Sequence, residues 1–206
     1  LLPRPISICG INSTEGTLRV VYRVAGEGTK EFSEMKAGDT LEVMGPLGNG
    51  FTMKNEKAII IGGGIGIPPM LELAKQLDAE KTVVLGYRTS TFLKEEFEEV
   101  CDVKIATEDG SQGAKGTVID AIEKYGVEGK VIYACGPMPM LKALAAYAEE
   151  HGMEAQISLE ERMACGIGAC LGCICKSKTK DHHTNVNNTR ICKDGPVFNA
   201  KEVVFS

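Results

Sequence analysis

The order of apolar and polar residues divides the chain into three zones. In the first, from residue 1 to about residue 53, apolar side chains at 18, 20, 22 and 24 alternate with Arg19 and Arg23. A period of two predicts half-buried β-strands. A second strand is predicted over Thr40–Met44, and the run from Gly45 to Gly50 predicts a loop. This zone is expected to form an antiparallel sheet or barrel.

The middle zone, from about residue 56 to residue 152, alternates short apolar runs with helical periodicity. Strands are predicted at 58–61, 82–87, 103–107 and 131–134, and helices at 69–77, 91–100, 117–125 and 139–150. Gly126 and Gly152 stand where two of these helices should end. Strand–helix units in series predict a mostly parallel sheet with helices on both faces. Its ligand should lie at the carboxyl ends of the strands, near a switch point in strand order.

After about residue 155 the helical periodicity ends, and cysteine, glycine and short polar runs replace it. A segment of this length with so little apolar material usually needs a metal to hold its fold. The zones give three expected domains: 1–54, an antiparallel β part; 55–154, an α/β part; and 155–206, a cysteine-rich part.

Composition and charge narrow the function classes. The 206 residues carry a net charge of −5, which argues against a nucleic-acid-binding protein with a basic face. No run reaches the roughly 18 apolar residues of a membrane span, and the first residues lack a signal-peptide layout. We therefore expect a cytoplasmic protein that binds neither nucleic acid nor membrane. The three histidines and the lack of a Ser/His/Asp set point towards cofactor chemistry.

The cysteines give the strongest chemical signal. Five of the eight crowd the last zone, and Cys165, Cys170 and Cys173 have the C-x4-C-x2-C spacing of plant-type 2Fe-2S proteins. Glycines between them let the loop wrap closely around a cluster. The alternative is a structural zinc site that uses His182 or His183, although zinc sites favour paired C-x2-C knuckles and only one is present here.

Two cysteines compete for the fourth cluster position. Cys175 is only two residues beyond Cys173 and shares its face if the stretch is extended, so proximity does not exclude it. Cys192 can approach the far iron from another direction with less backbone strain. We therefore expect Cys192 to be the ligand.

Two weaker signals concern nucleotide binding. The loop from Gly62 to Gly66 lies between a strand and a helix, where a pyrophosphate could meet helix N–H groups. No strict G-x-G-x-x-G can be placed on it, so a merely tight turn stays open as an alternative. Cys135 and Gly136 end the fourth strand at the same edge of the sheet. Arg4 and Ser7 put a guanidinium and a hydroxyl on one stretch near the N-terminus, suited to phosphate or a flavin ring, although a surface arginine is the simpler interpretation.

Taken in order, these segments resemble the electron-transfer subunits of NAD-dependent (class 1B) dihydroorotate dehydrogenases, within the ferredoxin–NADP reductase superfamily. The resemblance spans the whole chain and is most specific over Leu159–Cys173 and Ile191–Phe198. It implies a ferredoxin-reductase-like fold: an FAD-binding antiparallel β-barrel, an NAD-binding parallel-sheet domain and a 2Fe-2S domain. The barrel is N-terminally incomplete here, because the family has several strands before Arg4, and we expect the numbering to begin inside a longer chain.

The resemblance also implies cofactor sites. FAD would be bound by Arg4, Pro5, Ile6, Ser7, Val21, Tyr22, Arg23, Gly28 and Thr29; NAD by Gly62, Gly63, Gly64, Gly66, Cys135 and Gly136; and the 2Fe-2S cluster by Cys165, Cys170, Cys173 and Cys192. The choice between NAD and NADP stays open, because Arg88 follows the second strand of the middle zone, where it could meet a 2′-phosphate.

The implied function is electron transfer in pyrimidine biosynthesis. A partner catalytic subunit with FMN would oxidise dihydroorotate to orotate, and electrons would reach NAD through the cluster and FAD, in a heterotetramer of two copies of each subunit. The chain itself would hold no catalytic residue for dihydroorotate. Two alternatives remain: the small subunit of another flavin complex, such as a ferredoxin-linked transhydrogenase or a sulfhydrogenase, and a zinc-stabilised nucleotide-binding module.

Overall fold

A central sheet organises the chain, which a computed structural model describes over residues 2–180 and 185–205. The strands are β1 (Ile8–Asn12), β2 (Thr17–Val20), β3 (Ala58–Gly63), β4 (Lys81–Tyr87), β5 (Asp102–Thr107), β6 (Ala114–Lys115), β7 (Val131–Cys135), β8 (Glu154–Ser158), β9 (Ile174–Lys176), β10 (Asn188–Arg190) and β11 (Val197–Asn199). The helices are α1 (Glu27–Glu34), α2 (Ile67–Gln76), α3 (Lys94–Glu98), α4 (Val118–Tyr125) and α5 (Met138–Glu150), with short 3-10 turns at Gly64–Gly66 and Ala200–Glu202.

The seven-stranded sheet has the order β11-β8-β7-β3-β4-β5-β6. All neighbours are parallel except β11, which runs antiparallel to β8. From β3 the chain first moves outward through β4, β5 and β6, then returns to the other side of β3 with β7 and β8. The predicted parallel sheet of the middle zone is confirmed, and its switch point lies between β3 and β7.

Strand β3 is buried on both faces, which explains its unbroken apolar sequence. Ile59 and Ile61 face a cluster formed with α4, α5 and the C-terminal zone. Ala58 and Ile60 face a second cluster formed with α2 and α3. The sheet therefore lies between two helical layers, as the strand–helix alternation predicted.

Local sequence sets the ends of α4. The Thr117 backbone N–H donates to Asp120 Oδ2 at 2.6 Å, and the Asp120 N–H donates to Thr117 Oγ1 at 3.4 Å, which closes a capping box. At the other end Gly126 adopts φ +60, a left-handed conformation that favours glycine. The predicted end of this helix at Gly126 is confirmed.

The N-terminal zone contains one antiparallel hairpin, β1–β2, docked on the second cluster. Cys9 of β1 is fully buried there, and the Ile11 N–H donates to Glu72 Oε2 of α2 at 3.1 Å. Arg19 of β2 makes a bidentate pair with Glu96 of α3, at 2.6 and 3.0 Å. These contacts fasten the hairpin to the helices that cover β3 and β4.

Two strand predictions in this zone are wrong. The alternation that begins at Leu18 stays in a ladder only to Val20, so Tyr22 and Val24 lie beyond β2. Thr40–Met44 belongs to no strand of the described chain, and Val43 is 77% exposed. Alternation specifies one face of a strand, but a strand forms only where a partner supplies hydrogen bonds.

The C-terminal zone contributes more to the sheet than its sequence indicated. Strand β8 spans the expected domain boundary between residues 154 and 155, and β11 extends the sheet beyond it. Strands β9 and β10 form a separate antiparallel pair. Within the described ranges, no helix combines the length and apolarity needed to cross a membrane.

We expect Ile60→Ala and Ile61→Ala each to lower the free energy of unfolding by about 2–5 kcal/mol, because each removes a fully buried side chain from a different face of β3. Ile11→Ala is the control, since Ile11 is 45% exposed, and it should cost about 1 kcal/mol or less. Urea unfolding measures all three. A large loss for only one of the two β3 variants would contradict the two-layer packing.

Candidate functional site

The expected NAD site lies at the switch point between β3 and β7. The parallel register pairs Gly62 with Cys135, so the glycine turn after β3 and the Cys135–Gly136 segment after β7 meet at the same edge. Ligands of open parallel sheets bind at such an edge, where neighbouring crossovers diverge and leave a crevice. The structure thus brings the two predicted halves of this site together.

Close packing explains the glycines of this turn. A Cβ on Gly66 would lie 2.4 Å from the carbonyl carbon and oxygen of Cys135, and one on Gly63 would lie 2.5 Å from the Met140 sulfur. Gly64 differs: its φ is +53, and no atom lies within 4 Å of where a Cβ would be. The turn is therefore packed against β7 at Gly66 and against α5 at Gly63. At Gly64 the backbone is open, as a phosphate-binding turn requires.

Two features modify the expected chemistry of this edge. Pro68 and Pro69 occupy the first turn of α2 and have no N–H. The N-terminus of α2 therefore offers a phosphate its helix dipole but few backbone N–H donors. Burial raises the pKa of the Cys135 thiol to about 11, against the opposing effect of a hydrogen bond with Ser158. Cys135 therefore remains a protonated thiol at neutral pH.

The expected FAD-phosphate site is built around Arg4 and the start of α1. A Cβ on Gly28 would lie 2.7 Å from Arg4 Nε, so only glycine lets the guanidinium cross the first turn of the helix. Thr29 Oγ1 accepts from the N–H groups of Ala25 at 2.9 Å and Gly26 at 3.2 Å, which fixes that turn. A guanidinium beside a helix N-terminus suits a phosphate anion.

The other expected FAD residues flank the hairpin. Because Ile8 pairs with Val20, Ser7 and Val21 lie at the same open end of the ladder. Tyr22 packs edge-to-face against Phe32 of α1, with ring centroids 5.8 Å apart. The remaining ones are partly or fully exposed neighbours of these: Pro5, Ile6 and Arg23. The structure thus gathers the three expected FAD segments on one side of the N-terminal zone.

The expected cluster cysteines form two pairs. The Cys170 N–H donates to Cys165 Sγ at 3.4 Å, and the Cys192 N–H donates to Cys173 Sγ at 3.4 Å. The Gly172 N–H points at Cys170 Sγ, also at 3.4 Å. Two cysteine pairs, with backbone N–H groups directed at the sulfurs, fit a two-iron cluster in which each iron takes two protein ligands.

The two pairs differ in their surroundings. N–H groups of Cys170 and Ile167 lower the pKa of Cys165 to about 6, because they stabilise the thiolate. Burial, reinforced by a hydrogen bond to Cys173, raises the pKa of Cys192 to about 11. Cys165 and Cys170 lie on an accessible loop, whereas Cys173 and Cys192 are 2% and 4% exposed.

The two candidates for the fourth ligand have different neighbours. Cys192 contacts Cys173 directly, whereas Cys175 lies in β9 opposite Thr189 and packs against the apolar cluster. Burial raises the pKa of Cys175 to about 11, as it does for Cys192, so the pKa does not separate them. His182 and His183, the histidines of the zinc alternative, lie outside the described residues.

Sequence reasoning missed the side chains that brace the cluster segment. Arg190 makes a bidentate pair with Asp194, both bonds 2.9 Å long, and Asn49 donates to two carbonyls of the same segment. The four-residue spacing of Arg190 and Asp194 was a usable signal. Asn49, an amide between two glycines, gave no pattern that identified its partner.

Comparisons with known proteins agree with this geometry. Residues 160–204 match the iron–sulfur cluster binding domain of dihydroorotate dehydrogenase B, and residues 60–146 match an oxidoreductase NAD-binding domain. The chain is 47% identical over 206 residues to the dihydroorotate dehydrogenase B (NAD(+)) electron transfer subunit of Caldanaerobacter subterraneus, covering 99% of this chain and 81% of that protein. The counterpart from Geobacillus kaustophilus is 45% identical over 217 residues, covering 100% and 81%.

A solved structure is also similar over almost the whole chain. It is a chain of the NADH-dependent reduced ferredoxin–NADP oxidoreductase, studied for flavin-based electron bifurcation, with a TM-score of 0.87 and 32% identity. The match covers 98% of this chain and 74% of that one. The ferredoxin-reductase-like fold expected from the sequence is confirmed.

For the flavin site, we expect Arg4→Ala to weaken FAD binding about tenfold or more, because a charge-assisted bond to phosphate is lost. Bound FAD per chain, measured after gel filtration, checks this. Arg19→Ala is the matched control, since it removes a guanidinium that pairs with Glu96 on the other side of the hairpin. Equal flavin content in all three proteins would show that Arg4 is an ordinary surface residue.

For the cluster, Cys192→Ser should lose most of the iron and acid-labile sulfide, whereas Cys175→Ser should keep both and retain the reduced-state EPR signal. The reason is that the Cys192 N–H donates to Cys173 Sγ, whereas Cys175 lies in β9 opposite Thr189. Iron and sulfide analysis of the two purified variants measures the difference. The opposite result, with Cys175 essential and Cys192 dispensable, would reject the assignment.

Proposed function

The chain belongs to the family of electron transfer subunits of dihydroorotate dehydrogenase B (NAD(+)), and on this basis we propose that it passes electrons from an FMN-containing catalytic subunit to NAD+. The partner oxidises dihydroorotate to orotate in pyrimidine biosynthesis, and this chain contributes the oxidoreductase half that uses the dinucleotide. When bound, the 2Fe-2S cluster would carry single electrons and FAD would exchange a hydride with the nicotinamide.

The residues of the chain have separate tasks in this proposal. Arg4, Gly28 and Thr29 hold the FAD phosphates at the start of α1, while Ser7 and Tyr22 border the flavin ring. The turn from Gly62 to Gly66 receives the NAD pyrophosphate, and Cys135 and Gly136 close the crevice beside it. Cys165, Cys170, Cys173 and Cys192 would hold the 2Fe-2S cluster, the first two and the last two as the pairs described above.

One observation carries the proposal: two cysteine pairs, each with a backbone N–H directed at a sulfur, lie in the segment that follows the last parallel strand of the dinucleotide-binding sheet. Strand β8 pairs its last residue, Ser158, with Cys135 at the proposed NAD edge. The proposed cluster segment therefore follows directly from a strand that pairs with the proposed NAD edge.

The assembly follows from the division of labour. We propose a heterotetramer of two copies of each subunit, located in the cytoplasm. The chain divides into an FAD-binding part up to residue 54, an NAD-binding part and a cluster-binding part, with β8 shared by the last two. NAD is the proposed dinucleotide; Arg88, exposed after β4, is the residue to change in a test of NADP use.

A second candidate is the small subunit of another flavin complex. It is favoured by the similarity to the NADH-dependent ferredoxin–NADP oxidoreductase chain, which extends over 98% of this chain. The two candidates share cofactors and differ only in the partner. Co-purification with an FMN protein that oxidises dihydroorotate separates them.

A zinc-stabilised module without redox activity is the least supported candidate. Residues 160–204 match an iron–sulfur cluster binding domain, and the C-x4-C-x2-C spacing differs from the paired C-x2-C knuckles that zinc sites favour. Iron and sulfide at about two each per chain support the cluster, whereas one zinc per chain would support the module.

We expect the full-length chain alone to oxidise NADH with an artificial electron acceptor and to form no orotate from dihydroorotate. The reason is that we assign residues of this chain to a dinucleotide and a flavin, and among the described residues we assign none as a base for dihydroorotate. Addition of the partner subunit should restore orotate formation coupled to NAD+ reduction. The measurement is absorbance at the orotate and NADH bands with and without the partner. Orotate formed by the isolated chain would overturn the proposed function.

A further inference from the structure

A loop of the N-terminal zone is fastened to the segment that follows the last proposed cluster cysteine. We call residues 45–50 the bridging loop. The Asn49 side-chain amide donates to the carbonyl oxygens of Lys193 at 3.0 Å and Asp194 at 3.1 Å. The Asn49 backbone N–H donates to the Gly195 carbonyl at 2.6 Å. Three consecutive carbonyls, beginning one residue after Cys192, are therefore held by one residue of the bridging loop.

The fit between these segments is close enough to exclude side chains. A Cβ on Gly48, whose φ is +71, would lie 2.2 Å from the Gly195 carbonyl oxygen and 2.9 Å from Pro196 Cδ. A Cβ on Gly195 would lie 2.3 Å from the Phe198 ring. The backbone of Gly48 therefore lies directly against the carbonyl of Gly195, which leaves the bridging loop and the segment after Cys192 little freedom to move.

The same part of the chain also touches the other end of the cluster site. A Cβ on Gly166, the residue after Cys165, would lie 3.0 Å from Met44 Cε and 3.1 Å from Leu47 Cδ1. The bridging loop and its neighbour Met44 thus contact the residues directly after the first and the last proposed cluster ligands. A shift of this loop would disturb both.

Beyond the bridging loop, the chain is tied to the dinucleotide-binding sheet. Phe51 packs edge-to-face on Tyr133 of β7, with centroids 5.7 Å apart, and the Thr52 N–H donates to Gln156 Oε1 of β8 at 2.8 Å. The segment from Asn49 to Thr52 therefore connects the cluster segment to the strands that carry the proposed NAD edge.

We propose that Asn49 is a positioning residue that locks the Cys192 segment to the N-terminal zone, which we assign to FAD, and through Phe51 and Thr52 to β7 and β8, so that the cluster keeps a fixed position relative to the flavin. The inference rests on the proposed function, because it uses the proposed cluster ligands. The side-chain amide is suited to this task, since its two N–H donors serve two adjacent carbonyls at once. Aspartate at this position would offer no donor and would set a carboxylate against two carbonyl oxygens.

The experiment uses the full-length chain in complex with its partner, as the wild type and the variants Asn49→Asp and Asn49→Leu. Asn49→Leu removes the donors without adding charge. Asn199→Asp is the matched control, because Asn199 lines the same cleft as Asn49 and uses its oxygen to accept from the Lys201 N–H at 3.0 Å. That variant adds the same charge nearby and keeps its hydrogen bond.

Three quantities are measured: the rate of FAD reduction by NADH, the rate of cluster reduction that follows, and the rate of iron loss to a chelator. Both Asn49 variants should lose iron about tenfold faster, since two hydrogen bonds of ordinary strength are removed. Their cluster reduction should slow several-fold and their reduced-state EPR signal should broaden. Their FAD reduction, and all three quantities in Asn199→Asp, should match the wild type.

The outcomes separate the inference from the proposed function. Asn49 variants with wild-type cluster reduction and iron loss would overturn the positioning role while leaving the proposed function intact. An equal effect in Asn199→Asp, or a parallel loss of FAD reduction, would also overturn it, because charge or general loosening would then explain the result. A wild-type complex without iron and sulfide would overturn the proposed function itself.

Discussion

The arrangement of the whole chain depends on the parallel pairing of β3 with β7. This pairing is where the crossover connections change direction, so it opens a crevice at the carboxyl ends of the strands. It also forces the turn after β3 against the end of β7, with Gly66 directly on the Cys135 carbonyl. The glycines at this edge are a steric requirement of the pairing, and the space above Gly64 remains for a ligand.

The same pairing determines how the cysteine-rich segment is attached. Strand β8 continues the sheet beside β7, and its last residue is in register with Cys135. The chain then leads directly into the loop of Cys165, and β11 returns it to β8 after Cys192. A segment poor in apolar residues is thus held by a sheet edge on one side and by its cysteine pairs on the other, which is why a metal cluster suits its stability as well as its chemistry.

The environment of each thiol follows from its place in this frame. Cys165 lies on a loop whose N–H groups point at its sulfur, so its pKa falls to about 6. Cys135 lies at the end of a buried strand, and desolvation raises its pKa to about 11. The cysteine pKa is therefore shifted in opposite directions at two sites of the same chain. Backbone N–H groups lower it at Cys165, and burial raises it at Cys135.

The sequence by itself determined the features that depend on local pattern: the parallel α/β zone from its alternating strands and helices, the end of α4 at Gly126, and a two-iron site from the spacing of Cys165, Cys170 and Cys173. Only the tertiary structure decided the features that depend on a distant partner. Thr40–Met44 alternates like a strand but has no neighbour in the described chain, whereas β8 and β11 give a weak signal in the sequence and form strands because β8 pairs with β7 and β11 pairs with β8. The link from Asn49 to the carbonyls beyond Cys192 crosses more than 140 residues of sequence separation. Periodicity and spacing reflect interactions between residues that are close along the chain. Hydrogen bonds between remote segments leave no such pattern in the sequence.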